Sequence, residues 1–266
     1  METITVEEVL LEQIESKIGI LTLNRPETLN ALNVELMRRL TDAIARMAEN
    51  DDVRCVVVTG AGPGFCAGGD INEIRKASQQ RAQGTAPPRK VTVERRARWL
   101  RRNVEAARVL FEMPKLSIAM INGACAGAGL SLAAACDFRF AATSAKFLSA
   151  FIANGVPGDY GGSWLWTRIL GASKARQLYF MDQKRTASEA LQFGLVDRVV
   201  ADAELREATM QQATQFATLA PTAVAYAKAN LNAALTETFT QSLDRESLNM
   251  MLARNALTEA RKNENQ

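Results

Sequence analysis

Histidine is absent from all 266 residues. That absence removes Ser-His and Cys-His nucleophile systems and nearly all common zinc sites. Proton transfer must therefore fall to Asp, Glu, Lys, Tyr or Cys. Cysteine is scarce as well: there are four, at positions 55, 66, 125 and 136, with no C-x-x-C spacing. Three of them lie in apolar or Gly/Ala-rich runs, which reads as buried reduced thiols rather than disulfides or zinc ligands. The net charge of +3 is too small to argue for nucleic acid. The opening M-E-T-I-T-V-E-E-V-L has neither a basic n-region nor an apolar h-region. No signal peptide is visible, and a cytoplasmic location is the expectation. Residues 116–136 carry no formal charge, long enough to raise a membrane span. Their Ala and Gly content and the Asn122-Gly123 turn argue instead for a strand, loop and helix inside a soluble core.

What is present centres on residues 122–162. The segment begins N-G-A-C-A-G-A-G-L-S-L-A-A-A-C-D and ends A-N-G-V-P-G-D-Y-G-G. An apolar strand over 117–121 runs through an Asn-Gly turn and a small-residue loop into a helix over about 129–135. Ala126, Gly127, Ala128 and Gly129 let a ligand approach the backbone, and the N–H groups of a helix start favour negative charge. Asp159 stands alone among glycines and aromatics. A cradle for developing negative charge beside one carboxylate points to proton chemistry next to a carbonyl.

Along the chain, residues 3–24 alternate as two strands around a turn near Ser16-Lys17. Residues 29–49 have the apolar spacing of a helix, and 55–59 read as a buried parallel strand. Gly60-x-Gly62 follows that strand, but Phe65 stands where a dinucleotide fingerprint needs glycine, so nicotinamide binding is rejected there. Asp70 with Glu73 forms a capping box ahead of a helix over 71–77. Gly69, just before it, lets a ligand oxygen reach the main chain. Residues 75–95 read as a polar loop, and 93–111 as one basic helix with Arg95, Arg96, Arg98, Arg101 and Arg102. Further helices are expected over 170–179, 187–193, 223–235 and 239–260, with a short strand over 195–200.

Four motifs in order resemble the enoyl-CoA hydratase/isomerase (crotonase) superfamily: L-N-R-P-E-T-L-N-A-L, F-C-A-G-G-D-I, the N-G-A-C-A-G-A-G stretch, and G-D-Y-G-G-S-W. The resemblance covers about residues 5–250. It implies an α/β fold, a crotonase-like spiral of ββα units over 1–200, with a C-terminal helical trimerisation region over 201–266. It further implies an acyl-CoA substrate, no separate cofactor beyond that coenzyme A, no membrane, and a homotrimer or a dimer of trimers. By resemblance the N–H groups of Gly69 and Ala128 hold the thioester oxygen. Arg25, Asn30, Ala31 and Leu32, with Ala67, Asp70, Ile71 and Asn72, flank coenzyme A.

The departures decide the reaction. Hydratases of the family use two glutamates; Ser131 stands at the first position and the second falls near Phe151. Asp159 matches instead the aspartate of dienoyl-CoA and ring-epoxide phenylacetyl-CoA isomerases. A dehalogenase reading needs a histidine that is missing. Asp159 is therefore expected as the acid/base, with Ser131 as a core or water-binding hydroxyl, and Trp99, Tyr160 and Trp164 around the acyl group. Hydration of an unusual enoyl-CoA narrowly leads, with double-bond isomerisation next. A non-catalytic acyl-CoA- or RNA-binding homologue is the alternative from another class.

Overall fold

The computed structural model describes residues 9–70, 79, 83 and 92–264. Strands β1 (Leu10–Glu15) and β2 (Ile18–Leu23) form an antiparallel hairpin. Its turn residues Ser16 and Lys17 have φ of 50° and 69°, the left-handed pair that suits the twist of a tight hairpin. Strands β3 (Cys55–Gly60), β5 (Leu116–Ile121), β7 (Phe138–Ala142) and β10 (Arg198–Val200) extend the sheet in the order β1-β2-β3-β5-β7-β10. From β2 onward every pairing is parallel. Burial on both faces explains the unbroken apolar run of β3.

After β3, β5 and β7 the chain adds a short strand that belongs to a second sheet. These are β4 (Gly64–Cys66), β6 (Ala124–Ala126) and β8 (Lys146–Leu148), joined by β9 (Arg185–Thr186) in the order β4-β6-β8-β9. Strand pairs followed by helices thus repeat along the chain, as the family resemblance implies.

The helices are α1 (Val34–Glu49), α2 (Val93–Asn103), α3 (Glu105–Glu112), α4 (Ala128–Ala135), α5 (Gly162–Phe180), α6 (Ala187–Phe193), α7 (Leu205–Ala217), α8 (Pro221–Ala233) and α9 (Phe239–Glu264). Alternate residues of the large sheet feed two cores. Val56, Val58, Ala119 and Ile121 join Leu36, Leu40 and Ile44 of α1 and all of the apolar face of α4. Cys55, Val57, Ile118 and Met120 pack with Leu205 and Ala213 of α7 on the other side. Helix α4 is buried at all of its positions, which accounts for the charge-free run around it. No helix among the described residues is long and apolar enough to cross a membrane. All four cysteines are buried and unbonded.

Several expected boundaries move. Helix α1 starts at Val34, not near residue 29, because Asn33 caps it and accepts from the Leu36 N–H at 2.9 Å. The residues before it are held in a loop, with Leu29 and Asn30 at positive φ. The basic helix expected over 93–111 is broken at Val104, whose ψ of 6° leaves helical geometry. Its arginines are solvated, and α2 buries no side chain. Helix α5 begins at Gly162 and bends at Gly171, where φ is 77°. The helix expected after Asp70, the capping box with Glu73, and most of the loop expected over 75–95 lie outside the described residues.

A buried amine ties the C-terminal helices to the core. Lys228 of α8 donates to the carbonyls of Leu110 (2.9 Å) and Lys115 (3.0 Å) and to Asp137 (2.8 Å).

Candidate active site

Two loops meet where β4 and β6 end. Cys66 pairs with Cys125 just past a register shift between Gly64 and Cys66, and Gly69 and Ala128 each stand three residues beyond their paired cysteine. A Cβ on Gly68 would lie only 3.2 Å from the Ala128 nitrogen, so the two backbones run side by side. Gly127, at φ 53° and ψ −124°, is the residue before α4 and supplies no capping side chain. The Ala128 N–H therefore begins a helix without an intrahelical acceptor.

The direction of the Gly69 N–H follows from the bridge that its neighbours make with Leu32. The Leu32 N–H donates to the Gly68 carbonyl at 2.7 Å, and the Asp70 N–H donates to the Leu32 carbonyl at 3.2 Å. Successive amides of an extended chain point to opposite sides, so the Gly69 N–H turns away from Leu32. A Cβ placed on Gly69 would meet nothing within 4 Å, so the space beside its Cα is open.

The loop that carries Leu32 is braced from within. Asn30 is fully buried. Its amide donates to the carbonyls of Ala61 (2.9 Å) and Gly64 (2.7 Å), and its oxygen accepts from the Arg25 N–H at 2.8 Å. Gly60 is a glycine because a Cβ there would strike the Gly64 carbonyl and the Asn30 amide. Arg25 donates to the Ala31 carbonyl at 2.6 Å and to Asp70 at 3.0 Å. The Ala67 N–H donates to the Leu29 carbonyl at 2.9 Å. Ala31 and Leu32 are buried. Ile71 and Asn72 lie outside the described residues.

Asp159 sits in a tight left-handed stretch, with φ of 119° at Gly158, 50° at Tyr160 and 70° at Gly161. Its carbonyl accepts from the Gly162 N–H at 3.0 Å, closing the turn into α5. One carboxylate oxygen, Oδ1, is buried with no hydrogen-bond partner among the described residues. Burial alone raises its pKa from 3.8 to about 6, because removal from water disfavours the charged form.

Around it the walls are aromatic and hydroxylic. Phe151 stacks on Tyr179 at 5.8 Å, and both approach Gly158. Ser131, fully buried on α4, and the Tyr179 hydroxyl both press on Gly162. Burial first, then the Asp159 charge, push the Tyr179 hydroxyl up to about 12, with Ser131 opposing. Those two hydroxyls face each other, but Tyr179 makes no bond of good geometry. Burial likewise pushes the Cys66 thiol up to about 12, with a further contribution from Asp159.

A cavity of about 410 Å³ opens beside this turn, lined by Val104, Phe111, Tyr160 and Trp164, with Arg101 and Arg108 among its charged side chains. Trp164 meets Phe111 edge-on at 5.3 Å and carries the Arg168 guanidinium over its face at 3.6 Å. Tyr160 donates to the Asn103 carbonyl at 3.3 Å. Trp99 stands apart: it is 42% exposed on α2 and does not line the cavity. The structure thus brings Gly69 and Ala128 together, and gathers Asp159, Ser131, Tyr160 and Trp164. Tyr179 carried no signal in the sequence, where it is one more residue of a helix.

Two backbone segments thus run side by side at Gly68 and Ala128, and one buried, destabilised carboxylate stands at the turn into α5. A family model for enoyl-CoA hydratase/isomerase matches residues 13–263, and the chain belongs to that family. It is 37% identical over 239 residues to the 1,2-epoxyphenylacetyl-CoA isomerase of Escherichia coli (strain K12), covering 90% of this chain and 87% of that protein. It is 33% identical to the short-chain-enoyl-CoA hydratase of Clostridium acetobutylicum, covering 84% of this chain and 80% of that one. The crystal structure of an enoyl-CoA hydratase from Polaromonas sp. JS666 superposes with a TM-score of 0.81 at 31% identity, covering 91% of this chain and 90% of that one. The fold is accordingly the crotonase spiral, and the chain is an enzyme of the hydratase/isomerase class.

Proposed function

We propose that the Gly69 and Ala128 amides hold the carbonyl oxygen of an acyl-CoA thioester while Asp159 moves a proton beside it. The observation that carries this is the buried, unpartnered Oδ1 of Asp159, held at a pKa of about 6. A base poised near neutrality can both take and return a proton. Two preorganised donors stabilise the enolate that forms in between, each typically contributing about 3–4 kcal/mol to the transition state.

Double-bond isomerisation fits this equipment best. It needs one group to lift hydrogen from one carbon and return it to another, and Asp159 alone suffices. The isomerase among the relatives supports the same order. Hydration, which the sequence placed narrowly first, stands as the second reading. The hydroxyls of Ser131 and Tyr179 beside Asp159, and the hydratase relative, favour it.

Tyr160 and Trp164 shape the acyl pocket in this reading. Trp99 takes part only by an inward movement of α2. Arg25, Ala67 and Asp70 border the coenzyme A path. The buried Asn30, Ala31 and Leu32 frame that border from beneath. Residues 1–200 form the spiral core and 201–266 the trimerisation region, on which Phe239, Leu248 and Met250 are exposed. A homotrimer or dimer of trimers, working in the cytoplasm without a separate cofactor, completes the proposal. Sedimentation gives the subunit number.

The test is solvent exchange. Incubation with an enoyl-CoA thioester in D₂O should place deuterium at the α- or γ-carbon. Asp159→Asn should slow that exchange at least about 100-fold. Exchange as fast as in the parent would remove Asp159 from its role.

A further inference from the structure

Three oxygen-bearing side chains converge at the turn into α5, and two of them hold a buried oxygen without a partner among the described residues. Tyr179 is 8% exposed and Ser131 0%. A Cβ on Gly162 would lie 2.2 Å from the Ser131 Oγ and 2.7 Å from the Tyr179 hydroxyl, and one on Gly158 would lie 3.5 Å from that hydroxyl. Asp159 stands between these glycines in the chain, with its own Oδ1 buried and unpartnered. Ser131 donates only a long bond, 3.5 Å, to the Gly127 carbonyl, and its hydroxyl lies against that of Tyr179. The stacked Phe151 ring fixes the Tyr179 ring in place.

Buried polar atoms are nearly always bonded, and orphaned ones call for an explanation. Two orphaned oxygens at one turn, one a donor and the other an acceptor, fit a guest that can accept from one and donate to the other. A neutral oxygen does both; a hydrocarbon does neither.

We propose that Tyr179, with Ser131 beside it, donates a hydrogen bond to a neutral oxygen that Asp159 faces from the opposite side. This oxygen is either a water molecule or a hydroxyl or ether oxygen carried by the acyl chain. The inference rests on Asp159 being the working carboxylate, and it adds a specificity-determining residue to that site. A hydroxyl on the ring, and not the ring alone, is what the site uses.

Tyr179→Phe removes one oxygen and keeps the shape. Three rates or affinities are compared in the full-length variant and the parent: α-deuterium exchange of a simple enoyl-CoA, its hydration, and binding of a 3-hydroxyacyl-CoA. The expected result is a fall of about 10–100-fold in hydration, or in hydroxyacyl affinity, relative to exchange. A fall in the hydration ratio identifies the guest as water; a fall in the hydroxyacyl ratio identifies an oxygen of the acyl chain. Ratios equal to the parent's in both arms overturn the proposal, whether every rate is kept or all fall in step as loss of packing would cause. Ser131→Ala reads the same ratios should Tyr179→Phe not fold, and unchanged ratios there overturn it equally. Asp159→Asn is the separate control: normal exchange in that variant sinks the reading of the base, independently of Tyr179.

Discussion

Replacing Asp159 by Asn should make the protein more stable at pH 8 while removing its exchange activity. Folding lifts this carboxyl from 3.8 to about 6, so the native state holds the proton more tightly than the unfolded chain does. Ionised Asp159 is thus a cost to the fold, complete above pH 6 and gone below about pH 4. A gap of that size corresponds to about 3 kcal/mol. Partial contact with solvent and the new amide's own unmet hydrogens trim the gain to roughly 2 kcal/mol. For a chain of this size that is a rise in Tm of ~4–8 °C. Thermal unfolding of parent and variant at pH 8 and pH 4 reads the difference directly. The gain should appear at pH 8 and vanish at pH 4. Because only the ionised form is a base, the parent's exchange rate should climb through pH 6 and level off above it. A variant no more stable than the parent at pH 8, or a flat pH profile across 6, would refute the argument that burial tunes this group.

Four further outcomes are expected. Gly68→Ala forces a Cβ to within 3.2 Å of the Ala128 nitrogen at a φ of 94°; disturbing that donor should cut kcat/KM on a thioester about 100-fold or more. Asn30→Ala removes the three hydrogen bonds of a fully buried side chain and should cost about 3 kcal/mol in urea unfolding. Trp164→Ala should alter acyl-chain preference in a panel of thioesters more than Trp99→Ala does, since only Trp164 lines the cavity. Lys228→Met leaves Asp137 without its buried partner and should destabilise by about 3–5 kcal/mol.

Much of this site was legible before any coordinates. The loop before Asp70, the small-residue run at Ala128 and the lone Asp159 all stand out by composition, because close backbone approach needs glycine and alanine. The resemblance then supplied the spiral, which local periodicity could not: β4, β6, β8 and β9 span two or three residues each, too short for any alternation to show. The same limit hid Asn30. Its apolar neighbours Leu29 and Leu32 fit a helix that begins too early, while the three hydrogen bonds that hold it elsewhere come from distant segments. The break at Val104 is of this kind, since nothing in E-R-R-A-R-W-L-R-R-N-V-E-A-A-R marks it. Trp99 and Trp164 look alike in sequence and are both exposed; only the contact with Phe111 places Trp164 at the cavity. Tyr179 needed the fold too, because Ser131 reaches it from α4 and Gly162 from the far side of the bend in its own helix.

The shared register of Cys66 and Cys125 has a consequence for how this protein can change over time. Both proposed donors are main-chain groups whose heights are set by counting from one paired rung, so neither is supplied by a side chain. Substitutions along 66–69 and 125–128 are then judged by bulk and, at Gly68 and Gly127, by a positive φ of 94° and 53°, whereas gaining or losing a single residue in either segment would leave one donor a step above the other. Relatives of this enzyme should therefore keep glycine at the positions of Gly68 and Gly127, vary more in composition at the others, and hardly vary at all in length.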